Sequence, residues 1–200
     1  MNSPTVVRDV LARHREDPSI SLDFEFAIYW QMDQDIGAAL QKDLKDHCSK
    51  WEIRRAIPSL WTSLPSCSGL YMFVYKTPLL LECANEDRIN PRWVMYVGRA
   101  GNVAKPGSLK QRYREDYERY VGGHPEMLWN ADKPMTRTDR LKKYLTIYPL
   151  EYWFCRVEDH KVISDLESRL IKLFAPPLND KSRLKLKPLK SQQQPAFKVY

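Results

Sequence analysis

The sequence predicts a mixed α/β fold of the α+β type: a small three-stranded, mainly antiparallel sheet flanked by helices, with a helical extension in front of it. Three observations carry that expectation. Two runs rich in aromatic and β-branched residues, SGLYMFVY (68–75) and WVMYVGRAG (93–101), read as neighbouring strands. LEYWFCRV (150–157) has the same composition and reads as the third. Apolar residues recur at helical spacing in SLKQRYREDYERYV and SDLESRLIKLF, which lie between and behind these runs.

Taken in order, residues 1–64 read as a mostly helical extension. Within 35–57, Ile36, Leu40, Leu44, Trp51 and Ile53 recur among Lys, Arg, Asp and Glu in an amphipathic pattern, and Pro58 and Pro65 punctuate its end. A boundary is placed near Leu64, where strand-like runs begin. Alternation puts Tyr71, Phe73 and Tyr75 on one face of the first strand. KTPLLLECANEDRINPR is long for a hairpin turn and reads as an elaborated loop. The next helix has Ser108 as its N-cap and Leu109, Tyr113, Tyr117, Tyr120 and Val121 as its apolar stripe. A loop and a polar, basic region then lead to the third strand. Pro176 and Pro177 end the last helix, and a basic arm follows over 181–200. The core unit is therefore expected at 65–180.

A hydrophobic content of 43% over 200 residues is enough for a real core, so disorder of the whole chain is not expected. The net charge of +7 favours an acidic partner, nucleic acid first and an anionic membrane surface second. The opening stretch has scattered charges and no continuous apolar run, so no signal peptide is expected. The run at Leu79, Leu80 and Leu81 is too short to cross a bilayer. A cytoplasmic protein follows as the expectation. Cys48, Cys67, Cys83 and Cys155 form no CxxC pair, and the four histidines are dispersed, so neither a disulfide framework nor a zinc site is suggested.

Gly69-Leu70-Tyr71 and Tyr96-Val97-Gly98 are followed by an arginine on a helix (LKQR, ending in Arg112). A glutamate on a later helix comes next, in DLESRLIKLFAPPLN, with Glu167 and Asn179. In this order the residues resemble the GIY-YIG nuclease superfamily over roughly 66–180, and the long gaps between motifs are similar to those of GIY-YIG type II restriction endonucleases. The resemblance implies an endonuclease that hydrolyses phosphodiester bonds in double-stranded DNA. Tyr71, Tyr96, Arg112, Glu167 and Asn179 would be its catalytic residues. Glu167 would hold Mg²⁺ (or Mn²⁺), a hard cation suited to a carboxylate and water. Arg112 would bind the scissile phosphate through its planar fork, and Tyr71 would accept the proton of the attacking water beside Tyr96. That role requires a cation near the phenol, whose unperturbed pKa is about 10. Arg99 and Lys105 would support the site or bind the phosphate, and Asp116 would weaken phosphate binding or assist the metal. Asp116 stands one turn after Arg112, where many relatives carry His or Tyr. Basic residues Arg137, Arg140, Lys142, Lys143, Lys181, Arg183, Lys185 and Lys187 would contact the DNA backbone.

Each residue also has a plainer reading. Tyr71 and Tyr96 singly read as core aromatics, Arg112 as a solvated helix arginine, and SDLE as a capping box in which Glu167 closes a helix N-terminus. The capping reading sits poorly with Leu170, Ile171 and Phe174, which place Glu167 on the buried side, where a charge needs a partner such as a metal or Arg112. His124 and His160 read as loop or surface residues. One active site per chain predicts a homodimer or sequential nicking for a double-strand break, and a restriction role would imply a cognate methyltransferase or immunity partner. The alternatives are a catalytically inactive DNA- or partner-binding module of the same fold, and a nuclease acting on RNA.

Overall fold

The computed structural model describes residues 31–84, 88–101, 103–104, 106–122, 136–146 and 150–179, with residues 8, 12 and 24. Helix α1 (Gln34–His47) starts where the Asp33 side chain accepts hydrogen bonds from the Asp35 and Ile36 amides, both at 3.0 Å. It stops well short of Ile57. The expected helical continuation is instead strand β1 (Glu52–Arg55), which pairs antiparallel with a later strand. Glu-Ile-Arg-Arg has no apolar alternation because an edge strand of this kind buries almost nothing, and its charges guard the edge against further pairing. A 3₁₀ helix (Pro58–Ser63) leads to β2 (Gly69–Lys76).

The main sheet has four strands rather than the expected three. Its order is β1, β6 (Leu150–Arg156), β2, β5 (Arg92–Ala100), with every neighbouring pair antiparallel. The stretch between β2 and β5, expected as an elaborated loop, holds a small hairpin, β3 (Leu81–Glu82) with β4 (Arg88–Ile89). Strand β2 is interior and covered on both faces, which is why its sequence is almost continuously apolar. Tyr71 and Phe73 face a layer formed by the 3₁₀ helix, α2 (Leu109–Asp116) and α3 (Arg137–Tyr144). Leu70, Met72 and Val74 face α1 and α4 (Ile163–Phe174). The register shifts between Phe73, opposite Tyr96, and Val74, opposite Val94. Met95 is therefore the extra residue of a β-bulge, and the shift sets which way the following residues point.

Ser108 caps α2 as expected, accepting from the Gln111 amide. Helix α3 falls in a region read only as polar and basic; Thr136 caps it and Leu141 and Tyr144 bury its apolar side. Helix α4 begins at Ile163, one residue ahead of Ser164, and has no side-chain cap, so the capping-box reading of Glu167 is not realised. After α4, Ala175 adopts a left-handed conformation (φ 42°) and the chain turns back until the Leu178 amide donates to Met95 O at 3.1 Å. Among the described residues, no helix is long and apolar enough to cross a membrane.

Candidate active site

Tyr71 has no solvent exposure, and its cross-strand partner on β5 is Gly98. A Cβ at position 98 would lie 2.5 Å from both Cζ and the hydroxyl oxygen of Tyr71. Glycine is therefore required for the ring to lean over the edge strand. Gly69, two residues earlier, serves a similar end: a Cβ there would meet Cys155 O at 2.2 Å and Leu109 Cδ1 at 2.7 Å, so β6 and α2 close around the start of β2.

The Tyr71 hydroxyl shares a hydrogen bond with the Tyr117 hydroxyl at 2.5 Å and accepts one from Arg112 Nε at 3.4 Å. Arg112 Nη1 also pairs with Asp116 Oδ2 at 2.5 Å, one helical turn on. The Tyr71 ring stacks on Tyr152 with centroids 5.3 Å apart and lies 6.3 Å from that of Tyr96. Burial, and then the nearby Tyr96, push the Tyr71 phenol above its ordinary range; Arg112 and the hydrogen bond from Tyr117 pull it down without offsetting burial. Tyr71 is thus a neutral phenol in this state, where the sequence reading called for a lowered one. Burial opposes the charge on Arg112, but its hydrogen bond to the Tyr71 hydroxyl and the Asp116 carboxylate hold the guanidinium protonated.

Glu167 lies on the buried side of α4, as its spacing from Leu170 and Ile171 implied, and is ion-paired with Arg99. Arg99 sits at the carboxylate that the sequence reading gave to a metal or Arg112. Beyond the bulge, alternation sends Tyr96 and Gly98 to the Tyr71 side of β5 and Val97 and Arg99 to the α4 side. The two groups of side chains therefore meet on one dipeptide: Gly98 admits the Tyr71 hydroxyl, and Arg99 holds Glu167. Asn179, fully buried, fastens this strand by accepting from the Val97 amide at 2.9 Å and donating to Val97 O at 2.8 Å. It bonds outward-facing groups of an edge strand, where another strand would otherwise pair.

Glu167 supplies a hard oxygen donor, and among the described residues there is no cluster of three or more His, Cys, Asp or Glu that would cage a metal. That donor set fits a hard divalent cation whose other ligands are water and substrate phosphate, with Arg99 as the competing cation.

The expected DNA contacts fare unevenly. Arg140 donates to Pro177 O at 3.0 Å, bracing the turn after α4. Lys142 lies over the Tyr120 ring at 5.0 Å. Lys143 is 4% exposed, so it is not presented to a duplex as expected. Arg137 opens α3, but its side chain, together with Lys105, Lys181, Arg183, Lys185 and Lys187, lies outside the described residues. His124 does too, whereas His160 is exposed.

Four residues were missed as site candidates. Tyr117 was read as part of the apolar stripe and as the neighbour of Asp116, not as a site residue; α2 ends at Asp116, and Tyr117, its C-cap, leaves helical geometry and reaches Tyr71 although it is five residues beyond Arg112. Tyr152 carried no signal beyond strand composition. Lys110 and Arg114, spaced by four on α2, both approach the Trp61 ring, at 5.7 and 4.9 Å, and add positive charge on the helix that carries Arg112. That spacing was legible. Compared with known proteins, the chain matches no family model, no curated protein and no solved structure.

Proposed function

We propose that the protein is a Mg²⁺- or Mn²⁺-dependent endonuclease of the GIY-YIG kind that hydrolyses phosphodiester bonds in duplex DNA, with a restriction-like or phage-defence role. The observation that supports this reading is the convergence on Gly98-Arg99: a tyrosine hydroxyl touched by Arg112 on one side of β5, and a buried carboxylate on the other.

In this reading Arg112, 45% exposed and held by Asp116, takes the scissile phosphate and meets the charge that grows on its non-bridging oxygens. Glu167 would hold the cation, whose charge would polarise the phosphate. Tyr71 orients the attacking water through its hydroxyl. It can accept that water's proton only as a phenolate, a form that Arg112 favours and burial opposes. Asn179 keeps β5 in place beneath both halves.

The test is incubation of the purified protein with unmodified plasmid, phage DNA, single-stranded DNA and RNA, with Mg²⁺ or EDTA, beside Glu167→Ala and Arg112→Ala. Duplex cleavage that needs metal and Glu167 is expected. Arg112→Ala should lower it by roughly 10²–10³-fold, with circular dichroism unchanged. Discrete fragments indicate sequence specificity and a restriction partner such as a methyltransferase, and double-strand breaks without nicked intermediates indicate a homodimer. A smear indicates a nonspecific nuclease, and preferential loss of RNA would replace the DNA reading. The second reading, an inactive binding module, is favoured by the neutralisation of Glu167 by Arg99; DNA retained in a gel shift but uncut with either metal would establish it.

A further inference from the structure

We infer that Arg99 is an exchangeable counter-ion: it balances Glu167 until a divalent cation takes the carboxylate, and the released guanidinium then binds the substrate phosphate. This rests on the nuclease reading above and adds to it a coupling between metal and phosphate.

Glu167 lies among Leu166, Leu170 and Ile171 with its side chain 9% exposed, so its ionised form needs a cation at hand. Arg99 is 26% exposed and stands on an edge strand, so it can swing away into solvent while the carboxylate cannot. A metal and a guanidinium crowded on one carboxylate repel each other, which makes the ion pair and the metal complex alternatives. Arg99 directly follows Gly98, whose missing Cβ admits the Tyr71 hydroxyl that Arg112 touches, and its own side chain leaves the edge strand on the α4 side. Its planar fork fits phosphate oxygens as well as it fits a carboxylate. Arg112 is held in the same manner by Asp116, so both guanidiniums rest on internal acids. If Arg99 changes partner when the metal binds, metal and phosphate must strengthen each other by the same factor.

The experiment is Mn²⁺ binding by electron paramagnetic resonance to the full-length wild type, Arg99→Gln and Glu167→Gln without DNA, with folding of each checked by thermal melting. Arg99→Gln should bind Mn²⁺ about tenfold more tightly than wild type, and Glu167→Gln should lose it. A non-cleavable phosphorothioate duplex should bind wild type about tenfold more tightly when Mn²⁺ is present, and Arg99→Gln should lose that enhancement. If Arg99→Gln binds the ion no more tightly while Glu167→Gln has lost it, the exchange is overturned and the nuclease reading stands. If Glu167→Gln binds Mn²⁺ as wild type does, the metal assignment fails, and the exchange with it. Should Arg99→Gln not fold, the wild type alone decides: the Nε–H resonance of Arg99 should shift as Mg²⁺ is titrated in, and a stationary resonance overturns the exchange.

Discussion

On one side of β5 polar groups are buried among aromatic rings; on the other a charge is buried against an opposite charge. Tyr71, Tyr117 and Tyr152 fill the first side with almost no exposure, and each phenol is pushed up, by burial first, so that all are held neutral. On the second side Glu167 is ion-paired with Arg99. A tyrosine can be buried at the cost of losing only its ability to ionise, so an aromatic cluster packs like ordinary core. A carboxylate cannot, because its ionised form loses water and must gain a cation in exchange. The aromatic side is therefore built for fixed geometry and the charged side for a change of partner.

The sharpest way to break this comparison is to loosen the strand that both sides share. Asn179→Ala would strand the Val97 amide and carbonyl, at about 1–3 kcal/mol for each buried group left unpaired. Urea unfolding should show the largest loss of stability there, and a loss within 0.5 kcal/mol would mean that water replaces the amide. Gly98→Ala comes next. Because the atoms its Cβ would strike belong to a fully buried ring, the clash should cost about 1–3 kcal/mol and displace the Tyr71 hydroxyl from Arg112. Unfolding midpoints together with a shifted near-ultraviolet circular dichroism spectrum would check it.

Alkaline pH separates the two sides. A phenol whose folded pKa lies above its unfolded value stabilises fully below the unfolded value of about 10, and that contribution is lost as pH rises toward the folded one. Stability should therefore be insensitive to these tyrosines near neutrality and fall above about pH 10, by up to about 1.4 kcal/mol per pH unit for each of Tyr71, Tyr117 and Tyr152. Urea midpoints at pH 9, 10 and 11, with tyrosinate absorbance followed in parallel, measure it; early ionisation without unfolding would show the cluster to be wet. The smallest effect is expected from Tyr152→Phe. Its hydroxyl is buried without a hydrogen-bond partner among the described residues, so removal should leave stability unchanged or raise it by up to about 1 kcal/mol. A clear loss would show that this hydroxyl is bonded through water.

Much of this was legible in the chain. The three long strands, the cap of α2 and the buried side of α4 all come from local signals: β-branched and aromatic runs, a serine at an N-terminus, and apolar residues at three, four and seven positions beyond Glu167. Strand β1 was not, because an edge strand with exposed charged residues has no pattern of burial to print on its sequence. Nor was α3, whose buried Leu141 and Tyr144 sit among charges. Tyr117 was hidden because a count of helical turns assumes that the helix continues, and α2 ends one residue too soon.

Residue types and their order determined which groups could carry chemistry: two tyrosines, two arginines, a glutamate and an asparagine at defined points on strands and helices. Only the tertiary structure decided who partners whom. Arg99 rather than Arg112 reached Glu167, and Tyr117 rather than a cation made the shortest contact with Tyr71. Local patterning specifies the direction in which a side chain leaves its own element. Pairing of charges and hydroxyls depends on register, on a bulge at Met95 and on a missing Cβ at Gly98, which are set by how separate segments pack.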